Sequence, residues 1–137
     1  MHIDELTEKV IGAAIAVHKE LGAGLLESAY ESCLAFELID RGLKVERQKK
    51  LAVNYRGHQV DCAYRLDLVV EGQLIIELKT VEGLLAIHKA QVLSYLKLSG
   101  LNVALLMNFH ELTLTKGLQR LVLGYEESSR RTPRTLR

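Results

Sequence analysis

The stretch at residues 103–109 (Val-Ala-Leu-Leu-Met-Asn-Phe) leaves few architectures open. A run this short and this apolar cannot span a bilayer, and it lacks the alternation of a half-exposed strand. It reads as a central strand buried on both faces, which needs an apolar layer above and another below. Residues 84–99 supply one. Leu85, His88, Val92, Tyr95 or Leu96, and Ser99 recur at helical period, and Gly100 ends the pattern. A helix between two strands allows a right-handed crossover to a parallel neighbour. The other layer comes from the first forty residues. Leu6, Val10, Ala13 or Ala14, Val17 and Leu21 share a helical face up to Gly22-Ala23-Gly24. A second helix over residues 25–41 turns Leu26, Ala29, Tyr30, Cys33, Leu34 and Leu38 inward and is capped by Gly42.

Between these helical regions the pattern changes to strands at residues 45–55, 58–70 and 73–80, divided by the turn signals Arg56-Gly57 and Glu71-Gly72. Shorter, edge-like strands are expected at 112–115 and 118–123, around Lys116-Gly117. The expected order is α-α-β-β-β-α-β-β, an α/β (α+β) fold with a mixed central β-sheet flanked by helices. Residues 1–127 form one domain in this reading, and 128–137 form an arginine-rich tail without secondary structure.

Hydrophobic residues at 48% and charged residues at 26% exclude intrinsic disorder for the body of the chain. No apolar run approaches the roughly 20 residues of a membrane span, and the acidic start (Asp4, Glu5, Glu8) is unlike a signal peptide. A cytoplasmic protein without membrane contact is expected. Cys33 and Cys62 have no nearby Cys or His, which argues against structural zinc and a disulfide framework and for reduced, buried thiols. The net charge of +1 hides an asymmetry. Residues 1–127 hold 14 basic and 17 acidic groups, a net of −3, while Arg130, Arg131, Arg134 and Arg137 crowd the tail. Charge alone therefore gives the body no support as a nucleic-acid binder, although the tail could grip phosphates.

The chemistry concentrates at Asp67 and Glu77-Leu78-Lys79. Strand period places Glu77 and Lys79 on one face and Leu78 on the other, so a charged pair interrupts an apolar strand where burial would be costly without partners. Converging carboxylates can hold Mg²⁺ through oxygen, and an adjacent ammonium can orient water and stabilise charge on a phosphate. A strict two-residue turn at Glu71-Gly72 would set Asp67 and Glu77 on opposite faces. A three-residue loop, such as Val70-Glu71-Gly72, restores the shared face, with Asp67 opposite Ile75 and Glu77 diagonal to it. The odd loop, or a nearby bulge, is expected. On the following helix Gln91 and Tyr95 share a face, and His88 precedes them by one turn.

These residues resemble the PD-(D/E)XK nuclease superfamily, and more closely its GxxExxY proteins, whose motif stands here as Gly24-Leu25-Leu26-Glu27-Ser28-Ala29-Tyr30. The likeness covers about residues 4 to 124. It includes Asp67, Glu77-Leu78-Lys79, Gln91-x3-Tyr95 and Leu105-Leu106-Met107-Asn108-Phe109, with Leu66 where the superfamily commonly has proline. The resemblance implies a restriction-endonuclease-like core of order α-β-β-β-α-β. It also implies a Mg²⁺- or Mn²⁺-dependent nuclease acting on nucleic acid, DNA rather than RNA. Asp67 and Glu77 would be metal ligands, Lys79 would position the attacking water, Glu27 would support the metal shell, and Gln91 and Tyr95 would orient the site or touch phosphate. Without the resemblance, Glu27 reads equally as an acid favoured by a helix N-terminus, and Tyr30 reads as core. Two other classes stay open: a catalytically silent nuclease-like binding module, and a structural subunit of a homo-oligomer.

Overall fold

A computed structural model describes residues 1–61 and 64–124; Cys62 and the tail at 128–137 lie outside the described residues. The chain opens with α1 (Ile3–Leu21), capped by the His2 ring, which accepts from the Asp4 N–H at 3.1 Å. Its apolar face, Leu6, Val10, Ala13, Ala14 and Val17, is buried. Helix α2 (Glu27–Asp40) ends in a Schellman arrangement: Gly42, at φ +89°, donates to the Ile39 carbonyl, and Leu43 donates back to Leu38. The sheet strands are β1 (Val45–Lys50), β4 (Arg65–Val70), β5 (Leu74–Lys79), β6 (Val103–Asn108) and β7 (Leu118–Val122), in the spatial order β1-β4-β5-β6-β7. Strands β2 (Val53–Tyr55) and β3 (His58–Val60) form a separate hairpin. Its two-residue turn has positive φ at Arg56 and Gly57, as a tight hairpin with native twist requires.

The neighbours β1, β4 and β5 run antiparallel, β5 and β6 run parallel across α3 (Ala86–Ser99), and β7 returns antiparallel. All six residues of β6 are buried, as the unbroken apolar run demands. One core lies between the sheet and α1 and α2, built from Leu68, Val70, Leu74, Ile76, Leu78 and Met107 with the two helices' apolar faces. The other sits under α3, where Val92 and Leu96 meet Val69, Ile75, Ala104 and Leu106. With the β2–β3 hairpin set aside, the order α-β-β-β-α-β of a restriction-endonuclease-like core is present, in a mixed α+β fold. Among the described residues no helix is long and apolar enough to cross a membrane.

Three local expectations are corrected. The strands expected at 45–55 and 58–70 each break in two, because Leu51 turns inward to join the α3-side core and the chain leaves the sheet for the β2–β3 hairpin. No strand forms at 112–115. The chain doubles back directly after β6 into a 3-10 turn (Leu114–Gly117) so tight that a Cβ on Gly117 would stand 2.7 Å from Glu111 Cγ. This loop is tied to α1 where His18 Nε2 meets the Glu111 carbonyl at 2.8 Å. Cys33 is half-buried against the core rather than enclosed.

Candidate active site

The β4–β5 hairpin carries the central feature. Val70 pairs with Leu74, Val69 with Ile75 and Leu68 with Ile76, so three residues form the loop, with Glu71 and Gly72 both at positive φ. The expected odd parity is present, but the register lies two residues from the example drawn from the sequence. Asp67 stands opposite Glu77 instead of Ile75. At that row the backbone ladder gives way to side chains. The Asp67 N–H donates to Glu77 Oε1 at 3.0 Å, and the Leu78 N–H donates to Asp67 Oδ2 at 2.9 Å. Each carboxylate thus occupies the gap between the parting strands and accepts from the opposite backbone. The alternation of β4 breaks at the same point: Leu66 packs in the α3-side core with Val69, whereas Leu68 packs under α1 and α2.

Further along β5, the Lys79 ammonium donates to Gln91 Oε1 at 3.3 Å, which joins the strand to α3. Tyr95, one turn on from Gln91, is buried. His88 serves the helix instead of the carboxylates. Its Nδ1 accepts from the Leu85 N–H at 2.8 Å and caps the start of α3.

Glu27 enters from the first turn of α2, and the residues around it explain its place. Gly24 adopts φ +97°, a conformation that side chains resist. Tyr30 is fully buried, stacked on Phe109 with ring centroids 4.6 Å apart, and its hydroxyl donates to the Gly22 carbonyl and accepts from the Leu25 N–H at 3.1 Å. The tyrosine therefore clamps the loop that launches α2 and aims Glu27; it packs, as its inward position suggested.

Electrostatics tie the group together. Burial pushes the Glu77 carboxyl up to about 8, and the neighbouring Asp67 charge pushes in the same direction; Lys79 pulls it back. Glu27 is also raised, first by burial and then by Asp67, against the opposing pull of Lys79. The Tyr95 hydroxyl is raised by burial and then by Glu77. The six residues expected from the sequence thus converge on one neighbourhood. Among the described residues no three His, Cys, Asp or Glu side chains form a group able to hold a metal ion by themselves.

Three neighbours escaped the sequence reading. Glu31, one turn after Glu27, is buried and ion-paired with Arg47 at 3.3 Å. Its i, i+4 spacing from Glu27 was the available signal. Gln48 spans from Glu31 Oε1 (2.6 Å) to Asp67 Oδ1 (3.3 Å). Tyr64 faces Tyr95 with ring centroids 6.3 Å apart. Neither of the last two carries a pattern that distinguishes it from a solvated strand residue.

Comparison with known families gives a match to the PD-(D/E)XK nuclease superfamily over residues 4–121. Searches of curated proteins and of solved structures return no significant match.

Proposed function

Because the chain belongs to the PD-(D/E)XK nuclease superfamily, we propose that it is a metal-dependent nuclease that hydrolyses phosphodiester bonds in nucleic acid, DNA in preference to RNA. The observation that carries this reading is the Asp67–Glu77 row. Two carboxylates face each other in a strand gap, and one is so disfavoured as an anion that its pKa reaches about 8. A like-charge pair with one member buried, here Glu77 beside the half-buried Asp67, is relieved by a proton or by a cation. Mg²⁺ is commonly held by only one or two carboxylates, with water and substrate phosphate completing its shell, so this donor set fits it. Asp67 and Glu77 would hold the ion, which supplies Lewis-acid polarisation of the scissile phosphate and lowers the pKa of a bound water. The motif from Gly24 to Tyr30 supports a place among the GxxExxY proteins.

The chain's own groups do the rest. Lys79, steadied by Gln91, presents a cation beside the carboxylates, positions the attacking water and stabilises charge that develops on phosphate. Glu27, its carboxyl raised by burial and by the Asp67 charge, supports the shell. Tyr95 closes the α3 side and offers its hydroxyl to phosphate. The substrate's approach is favoured by local charge. Residues 44–65 carry Lys44, Arg47, Lys49, Lys50, Arg56 and Arg65 against Glu46 and Asp61, a net of +4 on a body whose net is −3. These side chains are exposed along β1, the β2–β3 hairpin and the start of β4, next to the row that holds Asp67, where they can meet phosphates.

Glu77→Ala and Lys79→Ala separate the roles. Titration calorimetry with Mn²⁺ and cleavage assays on single- and double-stranded DNA and RNA should show Glu77→Ala losing both metal binding and cleavage. Lys79→Ala should keep the metal and lose cleavage by at least about 100-fold. An unmodified protein that binds no divalent ion and cuts none of these substrates would favour the silent binding module.

A further inference from the structure

Three residues with side chains adopt positive φ among the described residues. Arg56 and Glu71 do so in hairpin turns followed by glycine, where the turn demands it. Gln48, at φ +49°, does so inside β1. No bulge accounts for it: the pairs Val45–Val70, Glu46–Val69 and Arg47–Leu68 before it, and Lys49–Leu66 and Lys50–Arg65 after it, keep one register. The strained residue therefore lies opposite Asp67, which itself lies opposite Glu77. The β1–β4 and β4–β5 ladders are both interrupted along this row, while β5 keeps its pairing with β6. A left-handed conformation is unfavourable for a residue with a side chain, and a strained position held by its surroundings points to use.

The use is visible in the side chain. The Gln48 amide donates to Glu31 Oε1 at 2.6 Å and to Asp67 Oδ1 at 3.3 Å, while the Leu78 N–H holds Asp67 Oδ2. Glu31, a buried residue of α2, is in turn fixed by Arg47. Both oxygens of Asp67 are thereby anchored, and each keeps a lone pair free of these bonds. We propose that Gln48 is a positioning residue: its strained backbone aims an amide anchored on Glu31 at Asp67, and so fixes the carboxylate for cation binding. This rests on the nuclease reading and adds to it a residue from β1 that touches neither metal nor substrate.

The informative variants separate backbone from side chain. Gln48→Gly relaxes the left-handed backbone and removes the amide; Gln48→Asn tolerates the same backbone but is one methylene too short to span both acids. Both should fold with a metal-free melting temperature near that of the unmodified protein, because relief of strain offsets the lost bonds in the first variant and the amide is kept in part in the second. Mn²⁺ affinity should fall about 10- to 100-fold, the usual loss when a ligand's supporting partner is removed, and kcat should fall with KM for DNA nearly unchanged. A metal-free double-mutant cycle of Gln48→Gly with Asp67→Asn in urea unfolding should show coupling between the two positions. Unmodified affinity in Gln48→Gly, or no coupling in the cycle, overturns the proposal while leaving the nuclease reading intact. An unmodified protein that binds no Mn²⁺ overturns the nuclease reading, and the positioning role with it.

Discussion

The two ends of the β4–β5 hairpin are built from opposite materials. At the turn end, Val70, Leu74, Val69 and Ile75 are buried to within 1% of full enclosure, alternate cleanly between the two cores and keep a regular ladder. Two rows further along, Glu77 is almost as deeply buried, at 4% exposure, yet carboxylates replace ladder bonds and the alternation of β4 breaks. The same pair of strands thus serves stability at one end and charge at the other. The closed end supplies the apolar burial, worth about 1.5–3 kcal/mol for each large side chain, that lets the open end hold groups which destabilise one another. A site of this kind cannot be built at the end of a free hairpin. It needs the parallel partner β6 and the two flanking cores to keep the gap from closing or fraying.

Ile75→Ala tests the closed end and should have the largest effect on stability. A cavity between the sheet and α3 should cost about 2–5 kcal/mol in urea unfolding. Cleavage per folded molecule should change little, since Asp67 and Glu77 keep their partners. A loss of Mn²⁺ affinity as large as the loss of stability would show that the two ends are not separable. Tyr30→Phe probes the joint between the α1–α2 loop and the open end, with a smaller effect. It keeps the stacking on Phe109 but leaves the Gly22 carbonyl and the Leu25 N–H without the hydroxyl, a cost of about 1–3 kcal/mol. Cleavage should fall further than unfolding alone explains, because the loop that aims Glu27 loosens; activity that merely follows the folded fraction would show that Glu27 needs no aiming.

Much of this contrast could be read from residue order. The apolar run of β6 and the Glu77–Leu78–Lys79 alternation follow from side-chain period, which is a local property, and the odd loop parity follows from the requirement that Asp67 and Glu77 share a face. The two-residue difference in register was not legible, because whether Gln73 belongs to the loop or to β5 depends on how Val70 and Leu74 fill the cores. Residues 112–115 misled for a related reason: alternating Leu and Thr fit a strand, but the close approach of Gly117 to Asn108 and Glu111 overrides propensity. Gln48 was invisible, since a polar residue in an alternating strand looks solvated and positive φ leaves a mark in sequence only when glycine adopts it. The six residues of the candidate site were legible as types in a pattern. What joins them, the Glu31–Gln48–Asp67 bridge and the Tyr30 clamp, is tertiary.

The central claim is that Glu77 is held where its charge is disfavoured until a cation arrives, and thermal melting of the metal-free protein between pH 5 and pH 8 tests it most directly against Glu77→Gln. The folded pKa of about 8 lies above the ordinary carboxyl value of 4.5. The favourable contribution of protonated Glu77 is therefore complete below pH 4.5 and is lost as pH rises through about 8. The unmodified protein should melt at progressively lower temperature across this range. The amide of Glu77→Gln can still accept from the Asp67 N–H without carrying charge, so its profile should be flatter and its melting temperature higher than the unmodified protein's at pH 8. Mn²⁺ at pH 8 should raise the melting temperature of the unmodified protein and leave the variant unmoved. A flat profile for the unmodified protein, or a Glu77→Gln variant less stable at pH 8, would contradict the account.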